Sequence, residues 1–167
     1  MAKVTESSVE KKCDIYISYC HDNEAEALLA RSMFERLTRD EYSVFYDNED
    51  SDSGEFPPKL LKKIEECTDF IIIVGERSFH KPTRWYCKEL AFALEKKKHI
   101  MPILKGIEDF SECRNIPKEC EGITVYRKFL YPNNQERHNT FYTLIPKVLF
   151  LSNSTNFIRT IFRHKRV

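Results

Sequence analysis

Glycine is scarce in this chain of 167 residues: only four are present, and none lies in the turn after the first predicted strand. Rossmann and Walker nucleotide sites cradle phosphate with a glycine-rich turn at that position. Here the turn reads SYCHDN, residues 18–23. Neither type of phosphate site is therefore predicted, and a nucleotide bound by this chain would need a different set of contacts.

Long apolar runs are also missing. The longest, FIIIV at residues 70–74, is far shorter than the roughly 20 residues that span a bilayer. The N-terminus lacks the basic start and apolar core of a signal peptide. We therefore expect a cytoplasmic domain with no membrane contact in this segment.

The chain has almost no net charge, with a formal value of +1 at pH 7. This balance gives no reason to expect nucleic acid as a partner. The charges are unevenly placed, however, because residues 47–55 are acidic and residues 159–166 are basic. Two interpretations stay open: each segment is simply solvated, or the opposite charges steer copies of the domain into head-to-tail contact.

Cysteine-based sites are not supported. The six cysteines include no CxxC pair and no spacing typical of zinc ligands, so no metal site is predicted. Cys20 and His21 are adjacent on a turn, an arrangement in which the two side chains seldom face each other, and no third group orients them. A serine triad would need a nucleophile-elbow turn, which is absent.

The pattern that is present is an alternation of strands and helices. Predicted strands cover residues 13–19, 42–46, 69–74, 99–104 and 122–126, and helices begin near residues 23, 57, 83 and 136. This alternation predicts an α/β fold: a doubly wound, flavodoxin-like open parallel sheet of five strands with helices on both faces. Ligands bind such sheets beyond the carboxyl ends of the strands. The loops expected to matter start at Ser18, Asp47, Gly75 and Lys105.

The domain is predicted to cover residues 12–151, between a flexible segment at 1–11 and a basic extension at 152–167. Its first helix begins with an Asn-x-x-Glu pattern, Asn23 and Glu26. That pattern is typical of a reciprocal capping box, in which the two side chains satisfy two helix-terminal amides.

The segment RWYCKEL, residues 84–90, contains the only tryptophan. A spacing of four places Trp85 and Glu89 on one face of a helix. On spacing alone, a structural role is favoured, in which Trp85 fills the core and Glu89 pairs with Arg84, Lys88 or Lys96.

Several segments together resemble the TIR (Toll/interleukin-1 receptor) domain, from about residue 12 to residue 150. CDIYISYCHDN resembles the family's first box, and YSVFYDNEDSDSGEF its second strand and the long following loop. TRWYCKEL resembles the tryptophan–cysteine–glutamate–leucine motif, and HIMPIL the strand after it. The loop lacks the R-D-x-x-P-G signature of receptors and adaptors, so the resemblance is closest to NAD-consuming TIR domains.

In the enzymatic members the glutamate of the W-x-x-x-E motif is catalytic, which implies that Glu89 is the catalytic residue here. The resemblance implies NAD⁺ as a substrate, with no cofactor and no metal. The residues expected to bind NAD⁺ are Trp85, Ser18, Tyr19, Asp47 and Tyr86.

The resemblance leaves two functions open. One is cleavage of the ribosyl–nicotinamide bond of NAD⁺ to nicotinamide and ADP-ribose or a cyclic isomer, in innate immune or cell-death signalling. Activation would come from self-association through the loop at residues 47–56. The other is a non-catalytic module that acts only by assembling with like TIR domains.

Overall fold

A computed structural model describes residues 13–46, 56–81 and 85–131. The strands and helices follow in the order β1 (Ile15–Ser18), α1 (Glu24–Arg39), β2 (Val44–Tyr46), α2 (Pro58–Glu66), β3 (Asp69–Val74), α3 (Trp85–Glu95), β4 (His99–Lys105) and β5 (Phe129–Tyr131). Two short 3₁₀ helices, Phe110–Glu112 and Lys118–Val125, lie between β4 and β5. The predicted last helix and both predicted domain boundaries lie outside these ranges.

All five strands are parallel, and their order is β2-β1-β3-β4-β5. This confirms the predicted flavodoxin-like sheet. In such a sheet the chain winds away in opposite directions from the first and third strands, and ligands bind at that switch point. Here the switch point lies beyond Ser18, which ends β1, and Val74, which ends β3.

The hydrophobic core is divided between the two faces of the sheet. β3 is buried along its whole length, so its alternate side chains serve both faces. Ile71 and Ile73 pack on the face that carries α1, while Phe70, Ile72 and Val74 pack on the face that carries α2 and α3. Helices therefore cover both faces, as the sequence predicts.

The predicted capping box at the start of α1 is only half present. Oδ1 of Asn23 accepts hydrogen bonds from the backbone amides of Ala25 and Glu26, at 3.1 and 3.3 Å. The Glu26 carboxylate, however, accepts from the backbone amide of Cys20 at 3.2 Å. The backbone amide of Asn23, which would complete the box, donates to the Cys20 carbonyl at 3.0 Å, and the buried Glu26 carboxylate binds the Asn23 side chain at 2.8 Å.

The predicted fifth strand at residues 122–126 is wrong, because those residues end a 3₁₀ helix, Lys118–Val125. Only Ile123 of this segment enters the core, and the β-branched Val125 is 83% exposed. The real β5 starts at Phe129, where Phe129 and Tyr131 face inward and Leu130 faces outward. Pairing with the end of β4 therefore selects the next apolar segment along the chain.

The six cysteines, all within the described ranges, form no disulfide. No helix in the described part of the chain has the length and apolar character to cross a membrane.

Candidate functional site

Glu89 lies one turn into α3 and is only 5% exposed. Its Oε1 accepts a hydrogen bond of 2.8 Å from the phenol of Tyr16, and its Oε2 accepts one of 2.6 Å from the hydroxyl of Ser18. Tyr16 and Ser18 are two residues apart on β1 and so point to the same face of the sheet. The carboxylate is thereby fixed at the carboxyl end of β1.

Tyr16 is held by its aromatic neighbours. Its ring stacks on Phe70 with centroids 5.4 Å apart and an interplanar angle of 12°, and Phe45 lies 5.2 Å away. The side chain is completely buried. A buried tyrosine needs a hydrogen-bond partner for its hydroxyl, and Glu89 is that partner.

Two of the three cationic partners expected for Glu89 from spacing alone lie within the described residues. Lys96 pairs with Glu65 at 3.2 Å, and Lys88 is exposed. Arg84 lies outside the described residues. Two hydroxyl groups from β1 also contact the carboxylate, and Tyr16, which supplies one of them, was not among the predicted site residues. The sequence contained one indication of this contact, because a tyrosine in a fully buried strand needs a polar partner for its hydroxyl group.

Trp85, predicted to bind NAD⁺, is the first residue of α3 and is partly buried. Phe56 meets it edge to face, with centroids 5.9 Å apart and an interplanar angle of 79°. Trp85 and Glu89 therefore share the first part of one helix, and Ser18 approaches that helix from β1. These are the predicted site residues that the fold brings together.

Of the other three predicted binding residues, the structure describes Tyr19 and Tyr86, and both are buried. Tyr19 is 7% exposed and stacks on His21, with centroids 4.5 Å apart. Tyr86 is buried in the core, where its phenol donates to the carbonyl of Ile73 at 2.9 Å. Burial raises the pKa of Tyr86 well above its usual range, so it stays a neutral donor. Asp47 lies outside the described residues.

A second buried carboxylate, which the sequence analysis assigned only to capping, lies at the same edge of the sheet. Glu26 is completely buried; its Oε1 accepts from the Asn23 side-chain amide and the Ser78 hydroxyl, both at 2.8 Å. Its Oε2 accepts from the Cys20 amide. Burial raises the pKa of Glu26 from 4.5 to about 7, although these hydrogen bonds oppose the shift.

Gly75 allows this carboxylate to reach the sheet edge. A Cβ atom at position 75 would lie 2.6 Å from Oε1 of Glu26, which no real contact allows. Sequence offered one sign of this arrangement. Glu26 falls on the same helical stripe as the buried residues of α1, which are Leu29, Ala30, Met33 and Leu37.

The turn after β1 also borders an open surface depression of about 610 Å³, whose lining includes Asn23, Arg77 and His80. Asp22 at its rim pairs with Lys81 at 3.0 Å and approaches His80 at 3.4 Å. Among the residues that the structure describes, no group of three or more His, Cys, Asp or Glu side chains could hold a metal ion.

Chemically, the site offers one carboxylate held by two neutral hydroxyl groups, beside a tryptophan ring on the same helix. A fixed carboxylate at a sheltered sheet edge is suited to stabilising positive charge on a bound group. Neither a nucleophile–base pair nor a metal centre is needed for that task.

Comparison with known proteins places the chain in a family. A family model described as TIR domain matches residues 15–138. The NAD(+) hydrolase sarm1 of Drosophila melanogaster is 25% identical over 128 residues, which is 73% of this chain and 9% of that protein. The NAD(+) hydrolase tir-1 of Caenorhabditis elegans is 30% identical over 125 residues, which is 71% of this chain and 12% of that protein. The chain thus spans about a tenth of these relatives.

Solved structures agree on the fold. The TIR domains of the activated Roq1 resistosome superpose with a TM-score of 0.52 and 17% identity, over 92% of this chain and 99% of that one. A metazoan TIR-STING receptor from C. gigas gives a TM-score of 0.51 and 18% identity, over 80% of this chain and 39% of that one. With the matched family model, these findings show that the chain belongs to the TIR domain family.

Proposed function

We propose that this TIR domain cleaves the ribosyl–nicotinamide bond of NAD⁺, with Glu89 as its catalytic residue. The observation that carries the proposal is the Glu89 carboxylate itself, which Tyr16 and Ser18 hold at 2.8 and 2.6 Å beside the carboxyl end of β1. This is the edge at which parallel α/β sheets bind their ligands.

A single carboxylate is sufficient for this reaction. Nicotinamide in NAD⁺ is already cationic, so breaking its bond to ribose releases a neutral molecule and no general acid is required. The remaining demand is to stabilise the cation that develops on the ribose, which is an electrostatic task for a fixed carboxylate. Water then gives ADP-ribose, or a hydroxyl or ring nitrogen of the same nucleotide gives a cyclic isomer.

Trp85 is the best-placed of the proposed binding residues. Its flat ring suits stacking with the adenine or with the cationic nicotinamide, a contact worth of order 1 kcal/mol. Ser18 stays in the proposal through its hydrogen bond to Glu89, which helps to orient the carboxylate towards the substrate. Tyr19, Asp47 and Tyr86 stay in the proposal on the family resemblance, and the burial of Tyr86 favours a supporting role over stacking.

Self-association is proposed as the activating event. Glu89 is only 5% exposed and its two oxygens already accept hydrogen bonds. Substrate must therefore uncover it, and assembly of several copies through the loop at residues 47–56 can supply the required free energy. The fold is shared with TIR domains from an activated resistosome, which supports an assembled active form.

The names of the relatives point in the same direction, because the fly and nematode proteins are both NAD(+) hydrolases. At 25–30% identity they support the reaction for this chain and leave its product undecided. We place the activity in the cytoplasm, in innate immune or cell-death signalling with other TIR domains as partners.

A second candidate function is a non-catalytic module that works by TIR–TIR assembly alone. The same hydrogen bonds favour it, since a carboxylate that satisfies a buried tyrosine and a buried serine already has a structural task. The two functions differ in what they predict for nicotinamide release.

The test is to incubate concentrated protein with NAD⁺ and quantify released nicotinamide for the wild type, Glu89→Gln and Glu89→Ala. Glu95→Gln is the matched control, because Glu95 is an exposed glutamate on the same helix. Catalysis by Glu89 predicts release by the wild type and the control, and its loss in both Glu89 variants. Absence of release from folded, assembled wild type would support the module that acts by assembly alone.

A further inference from the structure

The Glu26 carboxylate accepts three hydrogen bonds within the described part of the chain. The Cys20 amide donates to Oε2 at 3.2 Å, and the Asn23 side-chain amide and the Ser78 hydroxyl donate to Oε1 at 2.8 Å. An ionised carboxylate only accepts hydrogen bonds, whereas a protonated one must also donate. The contacts therefore match the ionised form of a completely buried side chain.

These contacts join two turns that are far apart in sequence. Cys20 follows β1, and Ser78 belongs to the turn after β3. The Ser78 hydroxyl also accepts a hydrogen bond of 2.7 Å from the Gly75 amide. Glu26 is thus the bridge between the ends of β1 and β3, the two strands that flank the switch point of the sheet.

The network continues to the helix that carries Glu89. The Tyr86 phenol donates a hydrogen bond of 2.9 Å to the carbonyl of Ile73, the residue before the end of β3. Its pKa is influenced by both the Glu26 carboxylate and the Ser78 hydroxyl, so the phenol lies within reach of their charge and dipole. Tyr86 lies between Trp85 and Glu89 in the sequence of α3. A change in the charge of Glu26 or in the orientation of Ser78 would therefore act on a side chain in the first turn of that helix.

We propose that Glu26 is a positioning residue of the Glu89 site: its ionised carboxylate holds the turns after β1 and β3 together beside α3, and its protonation releases this contact. A proton on either oxygen would face donors on Cys20 and Asn23, so the Ser78 hydroxyl would have to turn to accept it. The Ser78 hydrogen, no longer directed at Glu26, would then be free to turn towards the Tyr86 phenol. The effect on turnover rests on the proposed NAD⁺ cleavage, but the structural change does not.

The surroundings of Glu26 place its titration in the physiological range. Burial disfavours the ionised form, while the charge of Lys105 on β4 and the three hydrogen bonds favour it, which leaves the pKa at about 7. The remaining titratable groups that interact with this carboxylate are the Tyr86 phenol and the Cys113 thiol, both with raised pKa. Both are neutral across this range, so neither would titrate in its place.

The test is a pH titration of the NAD⁺-free protein by NMR, which needs no enzymatic activity. Three reporters follow the network: the backbone amide of Cys20, which donates to Glu26; the backbone amide of Gly75, which donates to Ser78; and the indole of Trp85, the only tryptophan. We expect all three to shift with one shared midpoint near pH 7. Glu26→Gln should abolish the shared transition.

Two controls separate Glu26 from its neighbours. Glu24→Gln removes an exposed carboxylate from the same helical turn and should leave the transition unchanged. His21→Gln combined with His80→Gln removes the two imidazoles on the neighbouring turns and should also leave the transition unchanged. A transition that survives in Glu26→Gln, or disappears in the histidine variant, would overturn the proposal.

Ser78→Ala keeps the proposal testable if Glu26→Gln does not fold. Loss of the Ser78 hydrogen bond removes a contact that lowers the Glu26 pKa, so the Cys20 midpoint should move to higher pH. The Trp85 indole should stop following it, because the link to Tyr86 is cut. An unchanged midpoint, or an indole that still follows it, would count against the network.

Turnover gives the second readout. If only the ionised form is competent, NAD⁺ cleavage should rise roughly tenfold from pH 6 to pH 8 in the wild type, and the profile should flatten in Glu26→Gln. Equal pH profiles with active enzyme would overturn the positioning role and leave the proposed function intact. If no NAD⁺ is cleaved at any pH, the proposed function fails, and the NMR titration alone decides whether Glu26 couples the two turns.

Discussion

The phenol of Tyr16 donates a hydrogen bond of 2.8 Å to Glu89, a residue that follows it by 73 positions. The bond joins the first strand of the sheet to the helix that bears the proposed catalytic carboxylate. Because the tyrosine ring is fixed between Phe45 and Phe70, its hydroxyl has little freedom to move. The orientation of Glu89 is therefore set by the core of the domain.

Tyr16→Phe removes this donor and keeps the ring that packs in the core. We expect NAD⁺ cleavage to fall through kcat with little change in KM, since the carboxylate loses its orientation while the nucleotide contacts persist. Stability should drop by about 1–3 kcal/mol, because a buried acceptor loses a partner. Steady-state kinetics and urea unfolding measure the two effects.

Tyr126→Phe is the control for the loss of a phenol, because Tyr126 is half-buried against the same core cluster as Tyr16. It should leave kcat within twofold of the wild type. A Tyr16→Phe enzyme with normal kcat would show that Glu89 needs no anchor from β1.

Ser18→Ala removes the second donor to Glu89, at 2.6 Å. We expect a loss of kcat here as well, but the double variant with Tyr16→Phe should lose less than the sum of the two single effects in free-energy terms. Residues that hold the same group are coupled and behave non-additively. Strict additivity of the two losses in a double-mutant cycle would argue that the two hydroxyls act on separate features.

Sequence predicts the half of the site that depends on local periodicity. Trp85 and Glu89 are one helical turn apart, and Ser18 ends a strand whose composition is clear. Tyr16 was missed because its partner lies in another element, and nothing in the local pattern says which distant side chain will meet a buried phenol. The strand–helix alternation predicts the sheet order because handedness and connection rules leave few alternatives.

The two errors in the prediction share a physical cause. Residues 122–126 have the composition of a strand, and Asn23 with Glu26 has the composition of a capping box, but tertiary contacts decide both cases. The end of β4 pairs with Phe129–Tyr131 instead. At the start of α1, the Cys20 carbonyl takes the Asn23 amide, and the Cys20 amide and the Ser78 hydroxyl bind the Glu26 carboxylate. Where side chains are completely buried, tertiary contacts determine the local structure more strongly than the intrinsic propensity of the residues does.

Glu26 also predicts how stability depends on pH. Its pKa rises from 4.5 to about 7 on folding, so between these values the folded protein holds a proton that the unfolded chain has released. Its contribution is therefore fully present below pH 4.5, falls as the pH rises towards 7, and is constant above that. The total change is roughly 3 kcal/mol at most, at 1.36 kcal/mol for each pKa unit.

Urea unfolding of the wild type and Glu26→Gln between pH 5 and pH 8 measures this change. With rising pH, the unfolding free energy of the wild type should fall relative to that of Glu26→Gln. The unfolding free energy of Glu24→Gln should follow that of the wild type at every pH. Parallel curves for Glu26→Gln would mean that Glu26 has the same pKa in both states. Local order at the two turns should increase over the same pH range in which global stability falls, which separates the positioning role from simple stabilisation.

Gly75→Ala should destabilise the domain, because the added Cβ would lie 2.6 Å from Oε1 of Glu26. We expect a loss of about 1–3 kcal/mol, and a smaller loss when Glu26→Ala has already removed the carboxylate. Gly122→Ala is the matched control: its Cβ would lie 3.2 Å from Cδ2 of Leu94, a side-chain end that can move. If Gly75→Ala lowered the unfolding free energy equally with and without the Glu26 carboxylate, the clash would not involve Glu26.

Turnover should depend on protein concentration. Because the Glu89 carboxylate is 5% exposed and already hydrogen-bonded, an isolated domain must spend free energy to present it to substrate. Contacts between copies can supply that energy, so turnover per protomer should rise with protein concentration in step with the mass measured by light scattering. If the acidic block at residues 47–55 and the basic residues 159–166 attract one another, added salt should weaken assembly and turnover together. The contrary result is a turnover per protomer that stays constant at concentrations where light scattering detects only monomer. That result would show that a single copy exposes Glu89 to substrate without a partner.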